Sequence, residues 1–426
     1  MRLKSAAALV ALLAPATTFV RALSYGFPYG HEKIRGVSLG GWLSIEPWVT
    51  PSLFTNAGDG RVLDEWTFCQ YQSHAAARKT LEHHWANFIT EKDFAAIADA
   101  GLNHVRIPIG YWMYDVGPGE PYIQGQLPYL VMAVNWARKY NLKIFITVYG
   151  TVGSQNGYVN SGHFLDYPLW PNNQTYIDRT AKMIETMAEM FANHTDVVSA
   201  IAPLNEPPGY LGDPVMNPTK KFLIDSYHNL RAPLNANYHP HQNKTFAMVI
   251  SDGFLPFSYW NDFMPPPKYQ GVIMSVYGYQ VWTDEMIRWT KAERLEVACN
   301  KTAFLQGSVL WPIVGEWATS FHDCAQYMNG RGNASRYDGT WPPGSTTYMG
   351  SCTGLTGKAS GFSEEYKEYM RIFYETQVRA YEKGGVGWVY WNWKMENADE
   401  WSYEAGLKYG WISKHPTDFK YPDLCT

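Results

Sequence analysis

The chain has 426 residues, 46% of them hydrophobic, and a formal net charge of −4. It can bury a large core, but it lacks the clustered Lys and Arg that a nucleic-acid surface or a polybasic membrane patch requires. Aromatic residues make up 16%, with 18 Trp, 30 Tyr and 19 Phe, a composition that suits a large aromatic core or a groove in which flat sugar faces stack on rings.

Residues 1–22 have the form of a secretory signal peptide. Arg2 and Lys4 precede an apolar run over residues 6–20, and Val20-Arg21-Ala22 offers a small-residue cleavage site. That run is too short to span a bilayer, and no later stretch is long and apolar enough. Asn173, Asn193, Asn243, Asn300 and Asn333 each begin an N-x-S/T sequon, whereas Pro218 excludes Asn217. These features predict a secreted protein, extracellular or cell-wall associated, with residues 23–426 forming one domain. Of five cysteines, Cys324 and Cys352 close a short loop and Cys299 with Cys425 would tie down the C-terminus, leaving Cys69 over. No Cys or His cluster has metal-ligand spacing, so neither metal nor cofactor is expected.

No repeat or flexible linker divides the rest. Short runs rich in Val and Ile, at residues 34–43, 104–108, 143–149, 198–204, 246–251, 272–277, 312–316 and 386–391, read as strands. Amphipathic stretches between them, at 91–100, 129–140, 176–192, 220–230 and 365–381, read as helices. Eight strands alternating with helices predict a single (β/α)8 TIM barrel, an α/β fold whose chemistry gathers in loops at the C-terminal ends of the strands.

Two acids stand at such ends. Glu206 follows the fourth run, in Ile201-Ala-Pro-Leu-Asn-Glu-Pro207, and Glu316 closes the seventh, in Pro312-Ile-Val-Gly-Glu316. A lone strand-end carboxylate is commonly a cap or a surface group. A pair on opposite sides of an eight-stranded barrel can face each other across its mouth, as retaining glycoside hydrolysis requires of its acid and its nucleophile. Arg106, ending the second strand, could reach the nucleophile. Tyr279 could donate a second hydrogen bond to it, and Asn205, beside the acid, is suited to a sugar 2-hydroxyl.

The ordered motifs extend this reading over nearly all of the mature chain. They include Arg35-Gly-Val-Ser-Leu-Gly-Gly-Trp-Leu43, Gly153-Ser-Gln-Asn-Gly157, Leu204-Asn-Glu-Pro207, Val314-Gly-Glu-Trp317 and Trp391-Asn-Trp-Lys394. With them the chain resembles glycoside hydrolase family 5, and within it the fungal exo-1,3-β-glucanases. The resemblance implies Glu206 as acid/base and Glu316 as nucleophile, with Arg106, Asn205, Tyr279 and Trp391 completing the inner shell. It implies that Glu46 holds the non-reducing sugar at a blind end, and that Tyr158 and Trp282 clamp the sugar just beyond the cleavage point. Asn160 belongs to the same sugar-facing set. The expected partner is β-1,3-glucan or a related oligosaccharide, acted on by a monomer.

Three positions depart from the family pattern. Tyr149 and Tyr277 replace histidines, and Val159 replaces an aspartate. Tyrosine stays neutral where histidine can titrate, and valine can neither accept a hydrogen bond nor carry charge. Three readings stand at this point: an active β-glucanase whose tyrosine hydroxyls replace the lost contacts, a glycosidase of shifted sugar or linkage preference, or a catalytically impaired protein that binds glucan.

Overall fold

A computed structural model describes residues 23–233, 244–341 and 348–425. The expected signal segment and the Asn243 sequon lie outside the described residues. Eight parallel strands, β1 (Ile34–Ser38), β2 (His104–Gly110), β3 (Lys143–Gly150), β4 (Val198–Ala202), β5 (Ala247–Ser251), β6 (Val272–Tyr277), β7 (Trp311–Glu316) and β8 (Gly387–Tyr390), pair in chain order, and β8 closes the barrel on β1. The fold is the expected TIM barrel. Buried on both faces, its strands read as continuous apolar runs rather than as alternating ones. Every residue of β2, β4, β5 and β8 is buried.

Some boundaries differ from the sequence reading. The first strand ends at Ser38 rather than Leu43, because the chain turns at Gly40-Gly41, where Gly41 has φ +73°. A Cβ at Gly40 would lie 2.3 Å from the Trp391 ring. The helix expected from residue 220 starts earlier and spans Asp213–Asn229, running through Pro218. Proline inside a helix removes one backbone bond, so the sequence signal understated the helix's length. Between β5 and β6 the described chain has only a short 3-10 turn, Phe257–Trp260, where other units carry an α-helix.

The barrel interior is sealed from below. Ser24–Tyr25 pairs with Lys244–Thr245 in a two-stranded sheet. Phe27 and Tyr29 pack against Phe145, Ala200, Val249 and Val389, and the Tyr29 hydroxyl donates to Ser199 at 2.6 Å. Eleven of the 18 tryptophans are fully buried, so core packing takes most of the aromatic content. The disulfides Cys324–Cys352 and Cys299–Cys425 pair as expected, and Cys69 is a buried free thiol. Among the described residues no helix is long and apolar enough to cross a membrane.

Candidate active site

The open end of the barrel collects the two strand-end glutamates. At the close of β7, Glu316 is held by three donors. Arg106 Nη1 lies 2.8 Å from Oε1 in an ion pair whose side chains are 3% and 4% exposed. The Tyr149 hydroxyl donates to Oε1 at 2.7 Å, and Tyr279 donates to Oε2 at 2.9 Å. Strand register explains this convergence. Tyr277 is the neighbour of Glu316 across the β6–β7 ladder, and the Gly278 N–H donates to the Glu316 carbonyl at 2.8 Å, which brings the end of β6 over the carboxylate.

Glu206 lies just beyond β4. Consecutive residues of an extended strand point to opposite faces, yet Asn205 Nδ2 and Glu206 Oε2 meet at 3.2 Å. A left-handed backbone at Glu206, φ +47°, breaks the alternation. Such a conformation in a non-glycine residue costs about 1–3 kcal/mol and clusters at working sites. Asn160 Nδ2 also donates to Glu206 Oε2, at 2.7 Å. Burial, and after it the negative charge of Glu316, pushes the Glu206 carboxyl up to about 8 against the lowering effect of the Asn160 bond.

Asn205 links the two acids. Its Oδ1 accepts from Arg106 Nη2 at 2.9 Å and from Tyr277 at 3.4 Å, while its backbone N–H donates to the Val148 carbonyl at 3.0 Å. The Tyr277 hydroxyl also lies 3.3 Å from Ser251 Oγ. Both replacement tyrosines therefore enter the polar network around the carboxylates. Val159, half-buried in the 3-10 turn Val159–Ser161, supplies no polar group.

Glu46 is 2% exposed. One of its oxygens accepts from Trp48 Nε1 at 3.1 Å, and the other has no protein partner. Burial, then the charges of Glu316 and Glu206, holds its carboxyl well above the usual range. Trp391 lies between Trp48 (ring centroids 6.1 Å apart) and Tyr149 (5.7 Å, planes within 2°), making an aromatic wall beside the acids. Farther out, Trp282 is 39% exposed and packs edge-on to Tyr279 at 5.9 Å. The half-buried Tyr158 places its hydroxyl 2.7 Å from that of exposed Tyr210.

Sequence reasoning passed over three participants. Gln155 Nε2 donates to the carbonyls of Tyr149 (2.6 Å) and Asn205 (2.9 Å), tying both strand ends together. It stands inside the quoted motif Gly153-Ser-Gln-Asn-Gly157, which was its signal. Asp252 follows β5 and is 7% exposed; burial pushes its carboxyl up to about 7, against the lowering effect of its bond from the Phe254 N–H. The strand-end rule that found the two glutamates finds this acid as well. Tyr210 carries no sequence signal of its role, because its partner is 52 residues away.

Known proteins agree with this architecture. Residues 69–223 match the family described as "Cellulase (glycosyl hydrolase family 5)". The "Probable glucan 1,3-beta-glucosidase A" of Aspergillus niger is 40% identical over 99% of this chain and 97% of its own length. The "Glucan 1,3-beta-glucosidase" of Blumeria graminis is 38% identical over 99% and 96%. The solved rutinosidase of Aspergillus niger aligns with a TM-score of 0.70 over 92% of this chain and 99% of that one, at 17% identity, a likeness of fold alone. Given full-length relatives at this identity and a barrel of the matching kind, the chain belongs to glycoside hydrolase family 5 and is a glycoside hydrolase.

Proposed function

We propose that the protein is a secreted retaining β-glycosidase that removes glucose from the non-reducing end of β-1,3-glucan, with Glu206 as acid/base and Glu316 as nucleophile. One observation carries the reading: the two carboxyls stand in opposite environments. Glu206 is buried with amide donors only, and its carboxyl is raised to about 8, so it keeps a proton to give at neutral pH. Glu316 faces a guanidinium and two phenols, a donor set that suits an anion and the leaving carboxylate of an ester.

In the first step a Glu316 oxygen gives an electron pair to the anomeric carbon. The glycosidic C–O bond breaks, and the leaving oxygen takes the Glu206 proton. In the second, water attacks the same carbon, its proton passes to Glu206, and the ester electron pair returns to Glu316. Glu46, buried with one oxygen unpartnered, suits the hydroxyls of a terminal sugar and so release from a chain end. The names of the two relatives point to β-1,3-glucan. Two disulfides and exposed sequon asparagines at Asn193, Asn300 and Asn333 support secretion, with residues 1–22 as the signal.

The Tyr149 ring, parallel to Trp391, favours a second reading in which the pocket floor prefers another sugar or linkage. Purified mature protein on laminarin tests both. Glucose released with retained anomeric configuration, and abolished by Glu316→Gln, supports the first. Turnover only of other aryl glycosides supports the second, and turnover that survives Glu316→Gln refutes the mechanism.

A further inference from the structure

A carboxylate offers about two acceptor directions on each oxygen. On Glu316, Oε1 receives two donors, Arg106 at 2.8 Å and Tyr149 at 2.7 Å, while Oε2 receives one, Tyr279 at 2.9 Å. One acceptor direction is left, and it lies on Oε2. Tyr149 is poorly placed to leave Oε1 for a sugar. It is 1% exposed, its ring lies against Trp391, its hydroxyl is 3.3 Å from Arg106 Nη1, and Gln155 holds its carbonyl.

From this geometry we infer that Tyr149 is a positioning residue acting through Glu316: with Arg106 it fixes Oε1 as the spectator oxygen and leaves Oε2 to bond to the anomeric carbon. The inference rests on the retaining reading above. When Oε2 attacks and the glycosidic bond breaks, Oε1 becomes the carbonyl oxygen of the ester. When water displaces the ester, the electron pair of the broken C–O bond returns to the carboxylate and charge reappears on Oε1. A hydrogen bond to an anion is stronger than one to a neutral carbonyl. The Tyr149 bond therefore restrains the first step, which spends the anion, and assists the second, which restores it. Arg106, Tyr279, Glu206, Glu46 and Tyr277 also face Glu316. Tyr149→Phe leaves all of them in place and removes one neutral donor.

With an activated aryl β-glucoside, Tyr149→Phe should lower kcat on the order of tenfold while changing plateau kcat/KM by less than about threefold. A burst of released phenol should appear as the covalent intermediate accumulates. The acid limb of kcat/KM should move to higher pH, because losing a donor disfavours the anion. A 3,5-difluorotyrosine at position 149, an isosteric and stronger donor, should move that limb to lower pH. A limb unmoved in both proteins, or kcat and kcat/KM falling in parallel, overturns the inference. Calorimetric binding of a cationic glucose-shaped iminosugar across pH gives the same readout without turnover. If that binding limb shifts in a protein that hydrolyses no glycoside, the Tyr149 bond still positions Glu316, whereas the proposed function falls together with the assignment of Oε2 as the attacking oxygen. If hydrolysis is normal and the limb is still, the reverse holds, and a protein that neither hydrolyses nor binds loses both.

Discussion

Arg106 and Glu316 form an ion pair of 2.8 Å in which neither side chain is more than 4% exposed. Breaking such a pair leaves one buried charge uncompensated, at a cost of roughly 3–5 kcal/mol. Arg106→Met should therefore lower unfolding stability by about that amount, and should lower kcat as well. The double variant Arg106→Met/Glu316→Gln, which retains neither charge, should recover much of the stability and none of the activity. Chemical denaturation of the three proteins decides it. A double variant as unstable as Arg106→Met assigns the loss to packing.

The acid role of Glu206 in the first step requires its proton, so kcat/KM should fall as pH rises through about 8, where burial and Glu316 place its titration in the free enzyme. The same shift predicts a stability effect. A carboxyl raised from 4.5 to about 8 binds its proton more tightly in the folded state. Its favourable contribution is complete below about 4.5 and is lost as pH climbs through about 8. Glu206→Gln should thus be more stable than the parent at pH 8.5, by up to roughly 4–5 kcal/mol, with the gap closing toward pH 5. Thermal melts across that range measure it, and a gap independent of pH refutes it.

Asp252, at the end of β5, adds to the upward shift of Glu206 through its negative charge. Asp252→Asn removes that charge, so the basic limb of kcat/KM should move to lower pH by a few tenths of a unit, on the order expected for a minor charge–charge effect. The acid limb should stay in place. A basic limb that stays fixed or rises would show that Asp252 does not act on the acid electrostatically.

Tyr158 and Tyr210 join the loops after β3 and β4 through hydroxyls 2.7 Å apart. Tyr210→Phe removes that link at an exposed position, at a cost of about 1 kcal/mol or less in fixing the Tyr158 ring. KM for laminari-oligosaccharides should rise severalfold, while kcat and the kinetics of a small aryl glucoside stay unchanged. Equal effects on both substrates would place the defect elsewhere than on the leaving-group side.

Much of this protein was legible in its sequence because barrel building is largely local. Alternating strand and helix patterns gave eight strands in order, and the change from apolar run to polar loop marked the ends where Glu206 and Glu316 sit. Asp252 obeys the same rule and was legible in principle. The periodicity of β3 also determines that Phe145 and Tyr149 share a face, since side chains repeat every second residue. What Tyr149 meets on that face is a different matter. Its hydroxyl finds a carboxylate 167 residues away, a contact set by the register between neighbouring strands and by closure of the barrel. Read along the chain, Tyr149 is a histidine lost from a sugar site; in three dimensions it is a third donor on Glu316. Local pattern decides which way a side chain points, and only the closed barrel decides which distant group stands in its path.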